Sequence, residues 1–243
     1  SVFRWGPAVA ASTALGAGLF VPLSSDGAPL SFTGDLFVFV YALGLGRFFT
    51  VLAALDTGSS FEGMGASREV AFASLAEPAL FLCLAVLART TGQLSLSGGL
   101  GDALPDAWAR HGVALGLAAA SLFLLFLTEN CRIPVDDPTT HLELTMIHEV
   151  MVLDHSGPDF GIILYGAALK FTVLGALLVD LLLPLPGWAP PARLALQVAG
   201  LVALSAAVGV VESSMARLRL TRVPLLLVAA AAFPAFGLAL TFV

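Results

Sequence analysis

Residues Glu129–His155 read ENCRIPVDDPTTHLELTMIHEVMVLDH, and they lie between two long apolar runs. The stretch carries Glu129, Asp136, Asp137, Glu143, Glu149 and Asp154 together with three of the four histidines, and seven of the 17 acids fall between Glu129 and Asp159. Such an island is either a solvated connection or a site. The choice depends on what surrounds it.

The surroundings are apolar throughout. Of 243 residues 58% are hydrophobic and 12% charged, and the mean hydropathy is +0.95. Soluble domains run at about 25% charged, so this chain's main solvent is lipid. A membrane-crossing helix needs about 20 mainly apolar residues. Seven runs qualify: Pro7–Leu23, Asp35–Leu55, Ser67–Ala88, Gly112–Thr128, Phe160–Leu183, Ala192–Val211 and Pro224–Val243. The expectation is one all-α transmembrane domain over 1–243, with seven spanning helices and an acidic cytoplasmic segment at 129–159. The scattered basic residues form no stripe for nucleic acid. Cys83 and Cys131 are too few to hold an iron–sulfur cluster or a structural zinc. The run from Ser1 to Leu23 is too long for a signal peptide, and the chain reads as starting inside a longer protein.

Lysine and arginine near helix ends set the orientation. Arg4, Arg68, Arg132, Arg217, Arg219 and Arg222 fall on one side, and Arg89, Arg110 and Arg193 on the other. The bias places the Gly-rich segment DTGSSFEGMGA (Asp56–Ala66), the acidic island and the arginine loop together in the cytoplasm. Within that segment Gly63-Met64-Gly65 lacks the third glycine and preceding strand of a dinucleotide fingerprint, and reads as a flexible turn.

Arg47, Glu77 and Lys170 fall near the middle of predicted spans. Each costs roughly 2.5–3.5 kcal/mol on insertion scales, so such groups pair or line a wet cavity. Their signs suit a cluster of two cations around one acid, and both a proton relay and a plain structural pair remain open. Pro78, directly after Glu77, frees a carbonyl one turn back and bends the helix. Asp180 and Glu212 lie nearer helix ends: Asp180 reaches for headgroups, and Glu212 for Arg217 or Arg219.

Within the island, Asp137-Pro138 reads as an N-cap followed by proline at the first helical position, and Thr140 with Glu143 fits a capping box. A helix is expected from Pro138 to Leu153. At 100° per residue His141, Thr145, His148 and His155 share a stripe with Glu149 beside it, and Met146, Ile147 and Val150 lie opposite. Glu143 and Asp154 turn to the apolar side, where a buried carboxylate titrates high. The histidines are about 10 Å apart along the axis, too far for one zinc. Val152 stands where H-E-x-x-H requires its second histidine. No metal site is expected.

The pattern E-x-x-R-x-P-x-D-x-P, here Glu129, Arg132, Pro134, Asp136 and Pro138, then Glu143 and Ser156-Gly157, resembles the signature of complex I subunit 1, the H subunit of bacterial NADH:quinone oxidoreductase. LDTGSSFEGMGASREVAFASLAEP (Leu55–Pro78) and ESSMARLRL (Glu212–Leu220) resemble the branch of hydrogenase-4 component C and formate hydrogenlyase membrane subunits. The resemblance implies an eight-helix subunit of a prokaryotic plasma membrane, in which this chain supplies the second to eighth helices. It implies no cofactor in the chain itself. Iron–sulfur clusters and a nickel–iron site would sit in peripheral partner subunits, antiporter-like subunits would lie beside it in the membrane, and a quinone chamber would form at its surface. By motif, Arg68 and Glu77 match the family's arginine and helix acid after the Gly-rich segment, Glu129, Arg132, Asp136 and Glu143 match its acidic loop, and Lys170 sits on the helix after Ser156-Gly157. With Arg47, singled out by its depth in the membrane, Glu77, Glu129, Asp136, Glu143 and Lys170 are the expected proton path. Arg68, Glu69, Arg132, Asp137, His141, His148, Glu149 and Asp154 form the docking and chamber face. Thr139 and His141 stand where the family has acids, which thins the acidic chain.

The expected function is therefore membrane-arm coupling of a redox reaction to proton or sodium translocation in a group 4 nickel–iron hydrogenase-like complex. The rivals are a quinone-lining NADH:quinone oxidoreductase subunit, against which V-D-D-P-T-T-H-L-E-L argues, and a stand-alone proton-coupled transporter. The transporter would need an inverted repeat with paired broken helices, and none stands out.

Overall fold

The computed structural model describes residues 1–23, 27–136, 146–184 and 189–242. Among these the chain is helical and has no strand. Its elements are α1 (Val2–Gly18), α2 (Asp35–Asp56), α3 (Ser60–Thr91), α4 (Leu96–Gly99), α5 (Leu104–Glu129), α6 (His148–Met151), α7 (Gly157–Leu182), α8 (Pro190–Ser214) and α9 (Val223–Leu240). In lipid every backbone group must be bonded internally, so the apolar runs become helices. Six of them, α2, α3, α5, α7, α8 and α9, are long and apolar enough to cross a membrane. The seventh expected span, α1, has 17 residues. At 1.5 Å per residue that is about 25 Å, short of the roughly 30 Å hydrocarbon core.

α1 packs on α2 and α7, α9 packs on α3 and α5, and α7 also meets α5 and α8. The main core runs through this arrangement, with Phe39, Leu84, Leu115, Phe126, Leu174 and Leu227 all buried. α8 sits at the edge, burying only Arg193, Gln197, Leu204 and Val208.

Two boundaries differ from the sequence reading in ways that matter. α3 starts at Ser60, seven residues before the expected span, so Gly63-Met64-Gly65 is helix and not a flexible turn. The reason is packing: a Cβ at Gly65 would strike the Val150 side chain and stand 2.9 Å from both the Ile147 carbonyl and Met151 Cγ. Absence of a side chain lets the start of α3 press against α6. α5 likewise begins at Leu104, eight residues before the expected Gly112, and carries a non-helical His111 inside it.

The helix expected over Pro138–Leu153 is not continuous. Residues 137–145 lie outside the described residues. Met146 and Ile147 are non-helical, and only His148–Met151 forms a short helix. Its start is fixed from a distance: the Asp136 carboxylate accepts the amides of Ile147 at 3.0 Å and His148 at 3.1 Å, the capping role that a local side chain plays in most helices. Because the backbone leaves the helix at Val152, the 3.6-residue period stops there. Asp154 is exposed rather than buried, and His155 is buried on the opposite prediction, stacked on Phe3 at 4.0 Å.

Gly65→Ala is expected to destabilise the α3–α6 contact by about 1–3 kcal/mol, the usual range for overpacking. Gly63→Ala, where nothing lies within 4 Å of the added Cβ, serves as the neutral control. Protease sensitivity of the 129–157 connection in the membrane-bound protein reads the difference.

Candidate functional site

Arg47, midway along α2, is the hub. Its Nη1 donates to Glu77 Oε1 of α3 at 2.6 Å and its Nη2 meets Glu129 of α5 at 2.5 Å. Its Nε lies 3.2 Å from Glu69 Oε1, an ion-pair distance out of line for a hydrogen bond. Both Glu129 oxygens accept from Arg47 Nη2, and Lys170 Nζ of α7 approaches one of them, Oε2, at 3.6 Å. One guanidinium thus ties α2 to α3 and α5, and Glu129 extends the tie to α7. The planar fork of arginine suits several carboxylates at once in a way an ammonium does not. Gly44 leaves room for Glu77, whose Oε1 would sit 3.3 Å from a Cβ there. Arg47 and Glu129 are about nine-tenths shielded, whereas 40% of the Glu77 side chain is exposed.

The expected trio of Arg47, Glu77 and Lys170 is therefore present, but with three acids around two cations rather than one. The sequence places Glu129 on the same proton path as that trio, through its loop motif, and Glu69 on the docking face. They belong to the buried cluster because α5 runs on to Glu129 and α3 begins before Glu69.

The cluster opens onto a cavity of about 600 Å³. Arg47, Glu69, Glu129, Arg132, His148 and Lys170 supply its charged and polar lining, and α1 and α7 supply apolar walls. A second void of about 10 Å³ touches Arg47, Glu69, Glu129, Cys131 and Asp136, about the space of one water. It lies between the Arg47 cluster and the charged face.

That face is built around Asp136, which is 2% exposed. Besides capping α6, it meets Arg217 Nη2 at 3.1 Å. Arg68 donates to the Met146 carbonyl at 2.8 Å, and the Leu218 amide donates to the Pro134 carbonyl at 2.9 Å. Arg132 lies 3.5 Å from Glu212. The arginine loop, the island and the start of α3 therefore share one end of the bundle, as the charge pattern predicts. Glu212 pairs with Arg132 instead of the expected Arg217 or Arg219, because Asp136 takes Arg217 and Arg219 is exposed. Glu149 is half-buried. Asp154 contributes its amide, which donates to the buried Glu62 carboxylate at 3.0 Å. Asp137, His141 and Glu143 lie outside the described residues.

Two groups on this face have altered acidity. Burial, helped by Lys170, holds the His148 imidazole down at about 4, so it is neutral at physiological pH. Burial, with Glu69 adding to it, pushes the Cys131 thiol up, so it is a poor nucleophile. Among the described residues no group of three or more His, Cys, Asp or Glu is arranged to hold a metal ion.

Sequence reasoning missed Glu62, buried at the start of α3, and the pair Asp180–Gln197. Asp180 does not reach for headgroups. It is buried, and Gln197 Nε2 donates to its Oδ1 at 3.0 Å. The signal was present as Arg193 and Gln197 four residues apart in the otherwise apolar first half of the helix.

A bundle of apolar helices closed around a buried ion cluster, with a charged face at one end, defines a multi-pass membrane protein. Comparison of the sequence gives the family. The model of the NADH dehydrogenase family matches residues 1–242, and the chain belongs to that family. It is 32% identical over 229 residues to formate hydrogenlyase subunit 4 of Escherichia coli (strain K12), covering 92% of this chain and 73% of that protein. It is 35% identical over 183 residues to hydrogenase-4 component C of the same organism, covering 75% of this chain and 56% of that one. The fold matches a chain in the membrane-bound sulfane sulfur reductase, an archaeal respiratory membrane complex, with a TM-score of 0.78 at 18% identity over 99% of this chain and 79% of that one.

Arg47→Ala removes the partner of three carboxylates. Breaking a buried ion pair typically costs about 3–5 kcal/mol, so the variant is expected to lose most of its folded yield in membranes. His148 gives a pH signature. Its folded value of about 4 lies below its ordinary 6.5, so the unfolded chain takes up the proton first as pH falls. Stability is full above about 6.5 and declines as pH falls towards 4. His148→Gln should flatten that part of a thermal-stability profile.

Proposed function

We propose that this chain is the coupling subunit in the membrane arm of a respiratory-type oxidoreductase complex of the hydrogenase kind. Its charged face docks a peripheral arm whose iron–sulfur clusters and nickel–iron site carry the electrons. Its buried cluster takes up and passes a cation, in the first instance a proton, towards antiporter-like neighbours in the membrane.

One observation carries this reading. Among the described residues Glu69, Glu77 and Glu129 face Arg47 and Lys170 within ion-pair distance, three acids against two cations, so this cluster when fully ionised has one negative charge in excess. An uncompensated charge away from water is costly, and binding one proton removes it. A change in the face above, transmitted through Asp136 and the water-sized void, shifts how tightly that proton is held. Glu77, part exposed midway along α3, is the point from which it leaves. Glu143, placed on the route by its motif alone, would extend it towards the docked arm. Support for the assembly comes from the relatives named as subunits of formate hydrogenlyase and hydrogenase-4. The arginine bias supports a cytoplasmic charged face, and the Escherichia coli relatives support the plasma membrane of a prokaryote as its setting.

A second reading rests on the cavity. At about 600 Å³ it falls in the range of small-molecule sites, and its apolar walls with Arg132 and Lys170 fit a quinone. Those two cations, with Arg47 and His148 on the same lining, would meet its carbonyl oxygens, and a bound quinone would supply two-electron acceptor chemistry.

In inverted vesicles carrying the assembled complex, Glu77→Gln is expected to lower ion pumping by roughly 10²-fold, the low end for loss of a proton-transfer group, while electron transfer continues. Unchanged pumping by an intact complex would exclude the relay. Repeating the assay without sodium separates proton from sodium transport. Labelling of α1 or α7 by a photoreactive quinone would favour the second reading.

A further inference from the structure

The end of α7 holds a second buried polar group, away from the Arg47 cluster. Asp180 is 7% exposed, Gln197 3% and Arg193 9%. α8 turns only one stripe inward, Arg193, Gln197, Leu204 and Val208, and leaves Leu194, Val198 and Val202 exposed. The two polar members of that stripe, one turn apart, therefore face α7 and not lipid.

The hydrogen bonding there is incomplete in a specific way. Gln197 Nε2 donates to Asp180 Oδ1 at 3.0 Å. Asp180 Oδ2 and Gln197 Oε1 are both buried with no hydrogen-bond partner. Two acceptors on bonded neighbours are left without a donor, although buried polar atoms are nearly always satisfied. Arg193 is the charged group acting on Asp180 among the described residues, but it makes no ion pair with it within 4.0 Å.

We infer that Asp180 is a proton-binding site, occupied at rest, in which the neutral acid and the Gln197 carboxamide form a reciprocal pair. A proton on Oδ2 turns that oxygen into a donor to Gln197 Oε1, while Gln197 Nε2 continues to donate to Oδ1. A single proton thereby satisfies both orphaned atoms and removes a carboxylate charge from an apolar site. Release leaves a carboxylate beside Arg193, so the same three side chains provide a place for either form. The site is separate from the Arg47 cluster and does not rest on the coupling role proposed for that cluster.

A sodium ion is the competing occupant, since it too would satisfy two acceptors. A carboxylate and one amide oxygen are few ligands for a cation that takes about six oxygens, as hard cations do, and Arg193 repels it.

Infrared spectroscopy of the purified complex containing this chain tests the inference. A protonated-carboxyl C=O band is expected at neutral pH, lost in Asp180→Asn and shifted in Gln197→Leu, which removes the amide partner. Asp180→Asn presents the same donor and acceptor as the neutral acid, so it should assemble at wild-type yield. Absence of the band at neutral pH would overturn the inference. So would a band that disappears when sodium replaces potassium, or loss of assembly in Asp180→Asn that Arg193→Leu restores, which marks an ionised pair.

Discussion

The bundle depends on one guanidinium. The Arg47 side chain is about nine-tenths shielded, and its three nitrogen groups find oxygen within the protein. They find it on α3 twice and on α5 once, and this fixes the relative height and rotation of those helices more strictly than apolar packing does. Lipid tails are as apolar as leucine, so helix association in a membrane rests on close packing and polar contacts. Small residues allow the first: at Gly46 a Cβ would lie 2.5 Å from Thr13 Oγ1 of α1. The ion cluster supplies the second, and its five side chains are the same ones proposed above to hold the proton.

The charged face extends this logic outward. Asp136 is a long-range cap, a partner of Arg217 and a wall of the small void. One carboxylate therefore joins α6, the arginine loop and the cluster below it. A shift of the loop on docking would be felt at Asp136 first. The electrostatic path inward from there is short, since the same void touches Glu69, Glu129 and Arg47.

Much of this was legible in the sequence. Long apolar runs gave the spans, and the arginine distribution placed the island, the start of α3 and the arginine loop at one end. Charges at span centres marked Arg47, Glu77 and Lys170. The losses have physical causes. Periodicity describes a helix only while the helix lasts, so it failed for Asp154 and His155 once the chain turned at Val152. Gly63 and Gly65 look like a turn by propensity, and only the tertiary contact with Val150 and Met151 makes a helix there the better solution. Glu129 was read as part of a loop motif because its partner Arg47 stands 82 residues earlier, a separation no local pattern conveys. Gln197 is uncharged, and its significance appears only when Asp180 is set opposite it.

The reach of the Arg47 cluster along the chain also constrains biogenesis. Glu77 follows Arg47 by 30 residues and Glu129 by 82, and Lys170 comes later still. During synthesis α2 leaves the translocon with Arg47 near its middle and its own acids, Asp35 and Asp56, only at its ends, and α3 brings the first carboxylates that pair with Arg47. The two helices are thus suited to partition as a neutralised hairpin. The next pair repeats the pattern with reversed sign, an acid on α5 awaiting the ammonium of α7. The order of charges along the sequence is an order of insertion.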